Sequence, residues 1–131
     1  MKLLNNILAA NATAATTEMV VLGVKAGLDP RIIIDVLNAG SGQNSATKDK
    51  YPRSILNRSF DFGFRTDLLL KDIRLAQSFA QELGIKTRIA DAVVDTWGLA
   101  EPEFALKDAT NLVKVLEREA GVFIAAEASK V

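Results

Sequence analysis

Lys2, Asn5 and Asn6 stand at i, i+3 and i+4, a spacing that puts an amine and two amides on one face of a helix. An amine gives or takes a proton well once burial lowers its pKa, and an amide four residues on can position a substrate oxygen. Lys2 is therefore a candidate proton carrier, and Asn5 and Asn6 are candidate substrate contacts. A solvated helix end is the plainer reading, because motifs this short match by chance often. Asn is a poor helix former, however, and two of them in the first turns of an apolar helix need a reason. A second candidate is the run Gly40-Ser41-Gly42-Gln43-Asn44-Ser45. Its glycines free the backbone and its hydroxyls and amides supply donors, which suits an anionic oxygen. A turn-rich loop without a ligand is the favoured reading of that stretch. The third is Lys71-Asp72, set between Leu70 and Ile73. An exposed pair on a polar helix face explains it, with Lys71 reaching back to Asp67 at i−4.

The totals exclude much else. The chain has 131 residues, no His and no Cys, with 16 basic and 16 acidic side chains. Without His or Cys there is no disulfide, no thiol nucleophile, no Ser-His-Asp triad and no usual zinc ligand set. Proton chemistry must run on Lys, Asp, Glu or the one tyrosine, Tyr51. Zero net charge points neither to nucleic acid nor to an anionic membrane surface. Length and an apolar fraction of 49% fit one soluble domain with a real core, residues 1–131.

The elements that must position these residues read as helices. The first spans about Lys2 to Ala26 and stops at Gly27. It opens without a cap and with Lys2 at the positive end of its macrodipole, which reads as a start inside something larger. The stretch Leu3–Val24 is apolar, but Asn5, Asn6, Asn11, Thr13, Thr16, Thr17 and Glu18 interrupt it, so a central core helix is expected rather than a bilayer span. Asp29-Pro30 caps and opens a second helix, Arg31 to about Asn38. A polar loop follows over residues 39–50, then a short helix over Pro52–Arg58. Phe60, Phe62 and Phe64 alternate as in a strand; with no second such run to pair with, an extended segment packing aromatics into the core is expected. Helices are expected over Thr66–Leu83, Thr87–Ala100 and Ala109–Ala120, the last capped by Asp108 and ended by Gly121. The architecture is all-α, a helical bundle around one long N-terminal helix.

Three segments in order carry a resemblance: Lys-x-x-Asn-Asn on a long helix, Leu-Asn-x-Gly-Ser-Gly at Leu37–Gly42, and Phe-x-x-x-Leu-x-x-Lys-Asp-x-x-Leu-Ala from Phe64 to Ala76. Together they resemble the C-terminal domain of the β-hydroxyacid dehydrogenases, which include 3-hydroxyisobutyrate dehydrogenase and tartronate semialdehyde reductase. Asp108 falls where that family opens its last long helix. The resemblance covers nearly the whole chain and implies a domain like the C-terminal domain of 6-phosphogluconate dehydrogenase. It implies that Lys2 is the acid/base on the substrate hydroxyl, that Asn6 orients the substrate, that Ser41 and Gly42 border its pocket, and that Lys71 reaches the NAD or NADP cofactor. The expected protein is a cytoplasmic, metal-free homodimer acting on a small hydroxyacid, with no nucleic acid or membrane partner. The family's Rossmann domain and its Gly-x-Gly-x-x-Gly are absent from this chain, so one half of an active site is expected, inactive alone. Rival readings are a non-catalytic helical dimerisation domain and a small-ligand-binding helical module.

Overall fold

The computed structural model describes residues 1–126. In chain order they form α1 (Lys2–Lys25), α2 (Pro30–Ala39), a π-helix (Ala46–Ile55), α3 (Thr66–Glu82), α4 (Arg88–Gly98), α5 (Glu101–Phe104), a 3₁₀ turn (Ala109–Asn111) and α6 (Leu112–Ala120). The fold is an all-α bundle around α1, which packs against α2, the π-helix, α3, α4 and α6. Among the described residues α1 alone is long and apolar enough to cross a membrane by length and composition. Its central position gives another reason for that apolarity: several elements cover it from different sides.

Local chemistry sets the ends. Asp29 accepts the Arg31 amide at 2.7 Å, and Pro30 occupies the first helical position of α2. Gly27 and Gly84 adopt positive φ, and the following amides of Leu28 and Ile85 return to the carbonyls of Gly23 and Ala80, at 3.0 and 2.9 Å. Each is a Schellman ending, which satisfies carbonyls that the helix leaves unpaired.

The core has two lobes. Ala10 and Ala14 of α1 meet Leu69, Leu70 and Ile73 of α3, Val93, Val94 and Trp97 of α4, and Leu112 and Leu116 of α6. Further along α1, Val20 packs with Ile34, Tyr51, Ile55, Val113 and Ile124. Two buried side chains bond between helices: the Trp97 Nε1–H donates to the Ala10 carbonyl at 3.0 Å, and the Tyr51 hydroxyl donates to Thr17 Oγ1 at 2.8 Å. Burial, only partly offset by the Thr17 bond, pushes the Tyr51 phenol well above its ordinary pKa, so it stays neutral.

Several sequence expectations are corrected. The polar loop ends early, because residues 46–55 wind as one π-helix in place of a loop followed by a helix over 52–58. Asn44 Oδ1 caps it by accepting the amides of Ala46 and Thr47, and Tyr51 pins it to α1. The wider i→i+5 winding also accommodates Pro52, which has no N–H to give. The aromatic segment is not extended throughout, since Arg58 and Phe60 have φ of 61° and 48°. The Arg58 guanidinium binds the buried Glu117 carboxylate and the Ile124 carbonyl, which draws the chain around it. Nor is the segment wholly unpaired: Arg65 forms a single antiparallel bridge with Asp108. The short helix α5 was not expected, and the last helix opens with a 3₁₀ turn before its α-helical part.

Candidate functional site

A cavity of about 310 Å³ lies against the first half of α1. Its apolar wall includes Ala9, Phe62, Phe64, Leu69 and Trp97; its polar groups are Lys2, Asn6, Thr13, Lys50, Asp108 and Thr110. A mostly apolar hollow with a few converging polar groups is the usual form of a small-molecule site.

The helical spacing at the start of α1 brings Lys2 and Asn6 to this cavity together. Asn6 is half-buried, and its Nδ2 donates to Asp72 Oδ2 of α3 at 2.7 Å. That bond fixes the amide plane and leaves the Asn6 carbonyl oxygen with no described partner, open to a hydroxyl donor. Lys2 is solvent-exposed, so this chain does not itself supply the burial that a proton-carrying amine calls for. Asn5, one residue from Asn6, points elsewhere: it lines an adjoining hollow of about 460 Å³ with Leu8, Asn44, Ser45, Asp49 and Lys50.

Ser41 and Gly42 are exposed and line neither hollow. As in the turn-rich loop favoured from the sequence, four amides of residues 43–47 go to the chain's own oxygens. The Gln43 amide goes to the Gly40 carbonyl, that of Asn44 to Thr47 Oγ1, and those of Ala46 and Thr47 to Asn44 Oδ1. Lys71 is also exposed and lines neither hollow, one residue from the Asp72 that holds Asn6. It does not pair with Asp67, whose carboxylate is held by the Arg65 guanidinium at 2.7 and 2.9 Å. That pairing holds the Asp67 carboxyl below its ordinary range.

Two cavity residues carry more than sequence reasoning assigned them. Asp108 is the expected cap, accepting the Thr110 amide at 3.0 Å and the Thr110 hydroxyl, but its other oxygen also takes the amides of Gly63 and Phe64 at 2.7 and 3.2 Å. It thereby ties the aromatic segment to the start of α6 and holds Phe64 in the cavity wall. In the sequence Lys50 closes the polar stretch 39–50. It lines both hollows, its Nζ sits 5.2 Å from the Phe62 ring centroid, and burial, opposed by the charge of Asp49, lowers its pKa. A Lys-Asp-Lys stretch reads as solvated from sequence, so nothing there marked Lys50 out. Among the described residues no cluster of acidic side chains could hold a metal ion.

Comparison with known proteins identifies the family of the chain. Residues 1–116 match the family described as NAD-binding of NADP-dependent 3-hydroxyisobutyrate dehydrogenase. The chain is 30% identical over 127 residues to 2-(hydroxymethyl)glutarate dehydrogenase of Eubacterium barkeri, covering 95% of this chain and 42% of that protein. It is 34% identical over 92 residues to 3-hydroxyisobutyrate dehydrogenase of Pseudomonas aeruginosa, covering 66% of this chain and 31% of that enzyme. The structure of Mycobacterium tuberculosis 3-hydroxyisobutyrate dehydrogenase with L-serine superposes with a TM-score of 0.78 at 26% identity, over 88% of this chain and 42% of that one. The chain thus spans less than half the length of these relatives. It belongs to the 3-hydroxyisobutyrate dehydrogenase family of NAD(P)-dependent oxidoreductases, of which it comprises one all-α domain.

Proposed function

We propose that this chain is the substrate-binding and proton-carrying half of an NAD(P)-dependent dehydrogenase of small hydroxyacids, that it turns nothing over alone, and that it self-associates as a homodimer. The observation that carries the reading is the apolar cavity at which α1 presents Lys2 and Asn6 side by side. In the oxidation of a hydroxyl the O–H proton must leave as the carbon gives up hydride. Lys2 Nζ, in its neutral form, takes that proton, and in its charged form returns it when the carbonyl is reduced. A second domain closing over the cavity would desolvate this exposed amine. The Asn6 side-chain oxygen, held in place through Asp72, accepts from the substrate and sets its orientation. Bound NAD(P) supplies the hydride acceptor.

The residues present fit only one edge of such a cofactor. Lys71, exposed and without an ion-pair partner among the described residues, would meet its nicotinamide end, and the chain contains no Gly-x-Gly-x-x-Gly to hold the pyrophosphate. Exposed Leu4, Leu8, Met19 and Leu22 along α1 support self-association, because bare apolar surface of this kind usually marks an interface. In this reading the protein is cytoplasmic, uses no metal, and binds neither nucleic acid nor membrane.

The exposure of Lys2 favours one second reading, a non-catalytic helical interaction or small-ligand domain. The test is a dehydrogenase assay with 2-(hydroxymethyl)glutarate, 3-hydroxyisobutyrate and L-serine, on this chain alone and on the chain joined to a dinucleotide-binding domain of its relatives. Turnover by the joined protein alone, lost in Lys2→Ala, is the expected result. Turnover by the lone chain refutes the half-site, and no turnover by either moves the weight to the second reading.

A further inference from the structure

We propose that Lys50 holds the carboxylate of the substrate, while Lys2 and Asn6 act on its hydroxyl oxygen. The inference rests on the dehydrogenase reading and names the group by which that site selects an acid. Two amines, Lys2 and Lys50, line the cavity, and the only carboxylate beside them is Asp108. Asp108 is spent: its two oxygens already accept three backbone amides and the Thr110 hydroxyl. Its carboxylate offsets only one of the two ammonium groups, so the cavity lining keeps a net positive charge. The walls around it are largely aromatic and aliphatic and cannot screen that charge.

Lys50 is the better placed of the two amines to bind a fixed anion. It is half-buried, whereas Lys2 is exposed, so an anion meeting Lys50 competes with less water. No carboxylate of the described residues lies within ion-pair distance of it. Its base is rigid, because the next residue, Tyr51, is fully buried and bonded to Thr17, and the winding that carries both is capped by Asn44. Its ammonium rests near the Phe62 ring, a contact that orients a cation without consuming its hydrogen-bond donors. A half-buried ammonium with free donors, at the edge of an apolar hollow, is what a small carboxylate recognises; the hydroxyl end of the same molecule then falls to Lys2 and Asn6. Lys2 cannot serve both ends, since its amine must be free to exchange a proton with the hydroxyl.

The experiment is steady-state kinetics of the joined, two-domain enzyme on whichever acid of the three it oxidises fastest, and on the derivative in which the carboxylate nearest the hydroxyl is a carboxamide. Lys50→Met keeps the apolar stem beside Phe62 and removes the charge; Lys50→Arg keeps the charge; thermal melts report folding of both. The expected result for Lys50→Met is a KM for the acid raised about 10- to 150-fold, the range for losing a charged hydrogen bond, with kcat within about threefold. KM for the amide should hardly move, and Lys50→Arg should recover most of the loss for the acid. An unchanged KM for the acid overturns the proposal, as does an equal rise for acid and amide, which would be a packing defect. A fall in kcat at constant KM also overturns it. Wild-type enzyme that is active while Lys50→Met behaves normally defeats this inference alone; wild-type enzyme that oxidises none of the three acids defeats the dehydrogenase reading with it.

Discussion

Replacing Trp97 by Phe tests whether the cavity floor is held by packing alone or also by the bond to α1. Trp97 is the only tryptophan of the chain, is 1% exposed, lines the cavity, and donates Nε1–H to the Ala10 carbonyl at 3.0 Å. Trp97→Phe removes that bond, at about 1 kcal/mol. The Ala10 carbonyl is not orphaned, because it also receives the helical amide four residues on, which keeps the cost near the net value of one bond. The shorter side chain loses contact worth on the order of 1 kcal/mol more, since the surroundings relax only in part. The sum is about 2 kcal/mol, a fall in Tm of roughly 6–10 °C for a domain of this size. Trp97→Ala, which empties the floor, should cost about 3–5 kcal/mol. Urea unfolding followed by far-UV circular dichroism measures all three proteins, as tryptophan emission is lost in both variants. A Trp97→Phe variant within about 0.5 kcal/mol of wild type would show that the bond contributes nothing. One as unstable as Trp97→Ala would show that the packing of the remaining ring contributes nothing, and either result refutes the reasoning.

In the joined enzyme, Lys2→Ala should lower kcat about 10²- to 10⁴-fold, Asn6→Ala should impair both kcat and KM for the acid, and Lys71→Ala should raise KM for the cofactor. Near-normal kcat in Lys2→Ala alone would remove Lys2 as the proton carrier. Arg58→Met should destabilise by about 3–5 kcal/mol in urea, because it leaves the buried Glu117 carboxylate with only the Ile124 amide, at 2.9 Å, among its present partners. The double change with Glu117→Leu should recover part of that loss, and a double variant no better than the single one would argue against an uncompensated charge. Stability should also fall in acid. Hydrogen bonds from Ser59 and Ser54 hold Asp61 below its ordinary pKa, and those from Arg65, Arg74 and Arg118 do the same for Asp67, Glu101 and Glu103. Each folded value lies under its unfolded one, so the contribution is complete above the unfolded carboxylate range near pH 4 and disappears as pH drops through the folded values. Thermal midpoints from about pH 6 to pH 2.5 measure it, and a midpoint that stays level or rises across that span would refute the sign.

Most helix ends were legible in the sequence, and most of the site was not. Asp29, Gly27, Gly84 and Gly121 act on backbone groups a few residues away, so their types and positions suffice to place the ends of α1, α2, α3 and α6 within a residue or two. The spacing of Lys2 and Asn6 was legible for the same reason, since a helix converts i and i+4 into neighbours wherever it lies. That Asn5 turns to a different hollow was not, because Lys50 and Phe62, far along the chain, join Ala9 in lining both hollows.

What the sequence by itself determined is therefore local: an all-α chain, its caps and stops, a long apolar helix to build on, and ordered motifs that mark the family. The tertiary structure alone decided which polar groups meet. It bound Asn6 to Asp72 across 66 positions, and it turned the second oxygen of Asp108 toward Gly63 and Phe64. It also wound residues 46–55 as a π-helix by anchoring Tyr51 on Thr17, and so carried Lys50 from an ordinary charged stretch to the wall of the cavity. Caps and helical spacing are satisfied within a turn or two of backbone. The charge and shape of the cavity depend on how several helices pack around α1, and no short window of residues encodes that.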